Sequence, residues 1–190
     1  MKIGTFNIWN HDKSYNRRMD LLADVLLQEK FDLIVMQEVR DEEIVNSLAS
    51  KCDYEFTYWK KYFDCQEGLA ILSRYRIDNF WTNWDDNEDT HNSGLMYVRC
   101  KIDNHYIDVM NIHLDYEKST HREIEILKAV RFLDSCTGDY KFLAGDFNTT
   151  QNSSIYRYLT SRQSLNGNDT NWIDLPESYC YRNRVELEPS

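Results

Sequence analysis

Proline and glycine are scarce, at 2 and 6 residues in a chain of 190. That scarcity excludes collagen-like and low-complexity architectures. No apolar run approaches the roughly 20 residues that a membrane-crossing helix needs. No signal peptide opens the sequence either; instead a strand pattern, Lys2-Ile3-Gly4-Thr5-Phe6-Asn7, begins at once. The expectation is a cytoplasmic protein with no transmembrane segment, acting as a monomer. The five cysteines (Cys52, Cys65, Cys100, Cys136 and Cys180) are odd in number, and no two stand at Cys-x-x-Cys spacing. This argues against a zinc site or a disulfide framework and for reduced thiols. Basic residues are outnumbered 22 to 32, for a net charge of -10. Such a balance argues mildly against a nucleic-acid platform, though a local basic groove stays open. There is no Lys/Gly phosphate loop and no Ser/His/Asp elbow.

What is present is an ordered globular composition, 42% hydrophobic and 14% aromatic, over a length that fits one domain, residues 1–190. Alternation from Ile3 to Trp9 suits a strand. Met19, Leu22 and Leu26, with Val25 beside them, recur at helical spacing and predict a helix from about Tyr15 to Gln28. The apolar run Asp32 to Met36 reads as a buried strand, and a short helix follows around Glu42 to Ser50. Further strands are expected at Tyr54–Trp59, Gly68–Ser73, Leu95–Ile102, Tyr106–His113 and Lys141–Ala144, with a short helix at Ser154–Leu159. Ile124, Leu127, Val130 and Leu133 mark another amphipathic helix whose charged exterior (Glu117, Lys118, Arg122, Glu123, Glu125) reads as a solvated face. Trp59-Lys60-Lys61-Tyr62-Phe63 reads as strand core with solvated lysines. Phe80-Trp81 and Trp84, before the acid run Asp85–Asp89, read as a surface loop pinned by tryptophan. The mixture predicts stacked sheets with helices outside.

Polar residues fall at the ends of these strands. Asn7 ends the first, Glu38 follows Leu33-Ile34-Val35-Met36, His113 and Asp115 follow Val109-Met110-Asn111-Ile112, and Asp146 and Asn148 follow Phe142-Leu143-Ala144-Gly145. A strand end holds a side chain rigidly while leaving it open to solvent. One such residue is ordinary turn chemistry, and a lone strand-end histidine is more often structural. Four strands delivering Asn, Glu, His/Asp and Asp/Asn predict a convergent site. Carboxylates with an amide carbonyl are hard oxygen ligands, suited to Mg²⁺ or Mn²⁺, and an imidazole can donate to a phosphoryl oxygen as charge builds there. The reaction class these residues fit is metal-assisted attack of water on phosphorus.

The segments Thr5-Phe6-Asn7-Ile8-Trp9, Met36-Gln37-Glu38-Val39, Gly68-Leu69-Ala70-Ile71-Leu72-Ser73-Arg74, Asn111-Ile112-His113-Leu114-Asp115 and Gly145-Asp146-Phe147-Asn148 together resemble the endonuclease/exonuclease/phosphatase (DNase I-like) superfamily, in its order and over nearly the whole chain. The resemblance implies an α/β (α+β) four-layer sandwich: two mostly antiparallel β-sheets face to face, helices outside. It implies that Glu38 is the main metal ligand and that Asn7 orients the phosphate and the ligand set. Asp146 would position or activate the water, Asn148 would stand beside it on metal or phosphate, and His113 would donate to a non-bridging oxygen. The metal set is then Glu38, Asn7, Asp146 and Asn148, around Mg²⁺ or Mn²⁺. Asp115 either supports His113 or caps the next helix, and Ser73 and Arg74 belong to the fold.

The sequence departs from that family at its end. An Ile-Asp-Tyr strand and a closing Ser-Asp-His are expected after Asn148, and neither occurs; Trp172-Ile173-Asp174-Leu175 does not replace them, and Tyr179 to Ser190 reads as a lead-in to the absent motif. The expectation is therefore a chain truncated before the last strands of the fold, with little activity of its own. The expected function is hydrolysis of a small-molecule or lipid-derived phosphoester. An endonuclease or exonuclease acting on DNA or RNA is the alternative enzyme, nucleic acid being the less favoured partner. A catalytically inactive binding module of the same fold is the alternative outside enzymes.

Overall fold

A computed structural model describes residues 1–63, 65–84 and 92–175. The chain divides into two compact units, Met1–Asn148 and Thr149–Ser190. The first holds, in order, β1 (Ile3–Asn7), α1 (Tyr15–Glu29), β2 (Leu33–Val39), α2 (Glu42–Cys52), β3 (Phe56–Lys61), β4 (Gly68–Ser73), β5 (Ile77–Thr82), β6 (Gly94–Ile102), β7 (His105–His113), α3 (Ser119–Ser135) and β8 (Tyr140–Asp146). The strands form two four-stranded sheets, ordered β1-β2-β4-β3 and β5-β6-β7-β8. In each sheet one pair is parallel, β1 with β2 and β7 with β8, and the other pairs are antiparallel. In the second unit α4 (Ser154–Leu159) is capped by the Ser153 hydroxyl, which accepts from the Tyr156 amide. Tyr156 in turn donates to Asp174 at 2.8 Å.

The packing gives the expected sandwich. One core joins Ile34, Met36, Ala70 and Leu72, on one face of the first sheet, to Met19, Leu22 and Leu26 of α1 and Val45 and Leu48 of α2. The other core lies between the sheets, where Leu33, Val35, Leu69 and Ile71 meet Met96, Val98, Cys100 and Val109. The period-2 alternation of β2 and β4 is what sends neighbouring residues to different cores. On the far side α3 packs on β6 and β7, with Phe132 stacked 4.2 Å from Trp81 and edge-on to Tyr97. Helix α2 forms where its termini say it should: Asp41 accepts from the Ile44 amide, Glu42 and Glu43 occupy the first turn, and Lys51 the last.

Several sequence expectations are corrected. Phe80 and Trp81 lie in β5 rather than a surface loop, and Trp84 is buried, its indole donating to the Lys61 carbonyl. Lys61 is exposed as expected, but Lys60 is half-buried, its ammonium donating to Thr82 Oγ1 and the Trp84 carbonyl. On α3, Leu127, Val130 and Leu133 are buried as expected, while Ile124 is exposed and Ile126 and Ala129 join the buried face. Glu125 is drawn in from the solvated face by Ser93 and the Asp115 amide. Arg74 serves the fold as expected, donating to the carbonyls of Phe31, Cys52 and Asp53. Cys52, Cys65, Cys100 and Cys136 are free thiols; Cys180, the Asp85–Asp89 run and the Tyr179–Ser190 stretch lie outside the described residues.

A buried ion pair braces the second sheet. Asp108, fully buried on β7, accepts from Arg99 Nε and Nη2 at 2.7 and 2.9 Å, from the Tyr97 hydroxyl at 2.7 Å and from the Gly138 amide at 2.9 Å. A Cβ at 138 would collide with this carboxylate, so the close approach requires glycine. Burial pushes the Asp108 carboxyl up, but Arg99, Tyr97 and the Gly138 amide outweigh it and hold the group below its ordinary value. A depressed carboxylate pKa stabilises above the unfolded value, about 3.9, and the benefit is lost as pH falls through the folded value. Asp108→Asn is thus expected to cost about 3–5 kcal/mol near neutral pH, with the gap to wild type closing below about pH 4; urea unfolding across pH measures it.

Candidate active site

Parallel neighbours end side by side. Asn7 and Glu38 therefore share one end of the first sheet, and His113 and Asp146, direct partners across β7 and β8, share one end of the second. Face-to-face packing sets β1 and β2 against β8 and closes the two half-sites on each other. Glu38 carries a left-handed backbone, φ 56°, at the place where β2 slips register between Met36 and Val39. A bulge of this kind re-aims a side chain that a regular strand would send elsewhere.

The side chains meet closely. Asn7 Nδ2 donates to Glu38 Oε1 at 2.7 Å and to Asp146 Oδ2 at 2.9 Å, so one amide bridges a carboxylate from each sheet. Asn7 is held in turn by the Trp9 amide, which donates to its Oδ1. The Asn10 amide donates to Glu38 Oε2, and Arg40 Nε donates to Asn10 Oδ1. His113 Nε2 stands 4.0 Å from Glu38 Oε1, and Glu38, His113 and Asp146 offer ligand atoms that all lie within 4.8 Å of one another. Asn148 joins less directly: its backbone amide donates to Asp146 Oδ1 and its side-chain amide to the Leu114 carbonyl. Asp115 turns away from His113 toward the turn before α3, accepting from the Glu117 and Lys118 amides and from His121, although α3 itself has no side-chain cap.

Burial lowers the pKa of His113 below the usual histidine value, with Asp146 and Glu38 pulling the other way. The imidazole is therefore neutral near pH 7 and does not neutralise the two acids. Among the described residues no lysine or arginine pairs with Glu38 or Asp146. Two adjacent carboxylates without a cation suit a divalent metal, and the fit is with hard ions that take carboxylate and amide oxygens. A third acid, Glu67, lies near enough that burial and then the charge of Glu38 raise its pKa.

Two residues that sequence reasoning passed over hold the site together. Gln37 and Asn111, 1% and 0% exposed, sit inside quoted motifs without an assigned role. Gln37 Nε2 donates to Asn111 Oδ1 at 2.7 Å, and Asn111 Nδ2 donates to the carbonyls of Met36 and Ala70 at 3.0 and 3.1 Å. The signal was available: each is a lone amide within a buried apolar strand, where an unpaired polar group is costly.

Comparison with known proteins identifies the family and the fold. The model of the Endonuclease/Exonuclease/phosphatase family matches residues 4–185. The uncharacterized protein YbhP of Escherichia coli K12 is 27% identical over 168 residues, covering 77% of this chain and 66% of that protein. The probable CCR4-Not complex 3'-5'-exoribonuclease subunit Ccr4 of Enterocytozoon bieneusi is 26% identical, covering 85% and 44%. The chain thus spans less than two thirds of these relatives' length. A conserved protein of unknown function from Enterococcus faecalis V583 has the same fold in its crystal structure, with a TM-score of 0.68 at 22% identity, covering 83% and 70%.

Replacing Asn111 by leucine strands the Met36 and Ala70 carbonyls and the Gln37 amide in the core. The expected loss is about 3 kcal/mol of unfolding free energy by urea titration. A loss within experimental error would show that the sheets keep their register without this contact.

Proposed function

We propose a function for a chain that belongs to the endonuclease/exonuclease/phosphatase family: divalent-metal-dependent hydrolysis of a phosphoester, with a small or lipid-derived phosphodiester as substrate. The observation that carries this reading is the convergence of Asn7, Glu38, His113 and Asp146 from two sheets onto one point. Glu38 and Asp146 would hold the ion, with Asn7 and Asn148 beside them. Bound Mg²⁺ or Mn²⁺ supplies positive charge to the phosphoryl oxygens and lowers the pKa of a water. The protein's own residues do the rest. Asn7 keeps the two carboxylates in register, Asp146 orients the attacking water, and neutral His113 donates to a non-bridging oxygen as charge grows there. We keep residues 1–190 as one domain of this type, because the family match runs through both compact units.

Substrate choice rests on charge. A net charge of -10, with Glu67 adding a carboxyl beside Glu38, disfavours a long polyanion and tolerates a small ester. The nuclease reading has its own support. Trp9, 51% exposed and two residues past Asn7, is stacked on His11 with the Arg18 guanidinium over its ring, a surface on which a base can stack; a relative also carries the name exoribonuclease.

Residues 122–190 contain no histidine, so His113 is the imidazole on hand and we expect slow turnover. The test is hydrolysis of bis-p-nitrophenyl phosphate, then RNA and plasmid DNA, with Mg²⁺ or Mn²⁺ and with EDTA. Metal-dependent cleavage of the small diester, lowered about 10²-fold or more by Glu38→Gln or Asp146→Asn, is the expected result. Metal should also raise the melting temperature of the wild type, by linkage to the folded state, and not that of Glu38→Gln. A melting temperature indifferent to metal would sink the proposal; faster cleavage of RNA or DNA would transfer it to the nuclease reading.

A further inference from the structure

Behind His113, on the side away from the carboxylates, lies a tyrosine that the chemistry above does not use. Tyr62 follows β3 and is 1% exposed. Its hydroxyl lies 3.4 Å from His113 Nδ1, while His113 Nε2 faces Glu38. We propose that Tyr62 is a positioning residue: its hydroxyl donates to Nδ1 of His113 and fixes the imidazole as the Nε2–H tautomer, aimed at the point where Glu38 and Asp146 meet.

The direction of the hydrogen bond follows from the inventory of partners. A phenol carries one proton, and giving it to an acceptor when buried recovers the hydrogen bond lost with water. Among the contacts of the described residues, His113 Nδ1 is the acceptor within reach of this hydroxyl. Were Nδ1 protonated and donating instead, the phenolic proton would be left buried without a partner, which costs its full desolvation. Burial also keeps Tyr62 protonated, raising its pKa well above the ordinary tyrosine value. With Nδ1 occupied as acceptor, the ring's proton sits on Nε2.

The surroundings are built to hold the phenol there. Gly94 is the residue opposite His113 across β6 and β7. A Cβ on it would stand 2.7 Å from Trp84 and 2.9 Å from Tyr62, so the missing side chain makes room for both rings. Trp84 lies 5.1 Å from Tyr62, and its indole donates to the carbonyl of Lys61, the preceding residue. The Tyr62 amide donates to the Glu67 carbonyl, closing the loop into β4. Lys60 ties the Trp84 carbonyl from the other side.

A consequence for the metal follows. A nitrogen that bears a proton has no lone pair for an ion, so the Nε2–H tautomer makes His113 a donor and removes it from the ligand set that proximity alone would allow. Two carboxylates remain, hard oxygen donors of the kind Mg²⁺ or Mn²⁺ takes rather than the nitrogen and sulfur set of a zinc centre. In this sense the inference rests on the hydrolase reading and sharpens it.

The test reads the tautomer directly. Long-range ¹⁵N–¹H correlation of the imidazoles, at mildly alkaline pH in metal-free protein, should show His113 as a single Nε2–H tautomer. Adding Mg²⁺ should leave that pattern in place. Tyr62→Phe should shift it toward a mixture and lower kcat about 10-fold with KM nearly unchanged, the scale on which partners behind a functional histidine act. Tyr54→Phe, a buried tyrosine of the other core, should change neither. A wild-type Nδ1–H tautomer, a metal-bound Nε2, or a Tyr62→Phe protein with unchanged pattern and rate would each overturn the proposal. If Tyr62→Phe fails to fold, the wild-type pattern alone decides. If no substrate turns over, the hydrolase reading fails while the tautomer still decides Tyr62.

Discussion

The buried amide contact between Gln37 and Asn111 is the interaction on which the site depends. It is a fully buried side-chain hydrogen bond across the interface between the sheets, and it stands next to Glu38 in β2 and two residues before His113 in β7. Hydrophobic packing is nearly indifferent to a small slide of one sheet over the other. A directional bond at 2.7 Å, with Asn111 also donating to two carbonyls of the opposite sheet, is not. Any slide would leave buried amides unpaired. The register of two carboxylates from different sheets is thus set one layer below them.

Above that layer the electrostatics are deliberately unbalanced. Glu38 and Asp146 are brought together by Asn7, which offers donors without offering charge. His113 could have supplied the charge, but burial lowers its pKa and keeps it neutral. The basic residues nearby are engaged elsewhere: Arg40 on Asn10 and Asp12, Arg18 on the carbonyls of Trp9, His11 and Lys13. Among the described residues, no side chain of the loop between Asn7 and α1 forms an ion pair with either carboxylate.

Much of this was legible in the sequence, for a definite reason. Strands that are buried on both faces write long apolar runs, and the polar residue that ends each run is conspicuous, so Asn7, Glu38, His113 and Asp146 could be picked out before any coordinates. The failures are just as physical. β5 was missed because Ile77–Thr82 is an edge strand with exposed Asp78 and Asn79, and its pattern resembles a loop. Glu125 and Lys60 were taken for solvated charges because sequence does not reveal a partner distant along the chain, 32 residues away at Ser93 or 22 at Thr82. Tyr62 was hidden for the same reason, since 51 residues separate it from His113. Gln37 and Asn111 were readable as lone amides in apolar strands, but what they bind is a property of two sheets stacked together.

That division of labour has a further consequence for how the site and the fold support each other. Glu38 belongs to one sheet and Asp146 to the other, each at the end of an edge pair, β1–β2 and β7–β8. An ion shared by the two carboxylates would be a bond between sheets, added at the end where β1 and β2 approach β8. Without it, two like charges a few ångströms apart press the sheets open at that end, with Asn7 as the strap across them. With a cation bound there, the same two residues would bear the opposite sign on stability, and the buried contact between Gln37 and Asn111 would keep the arrangement intact in the state where they repel.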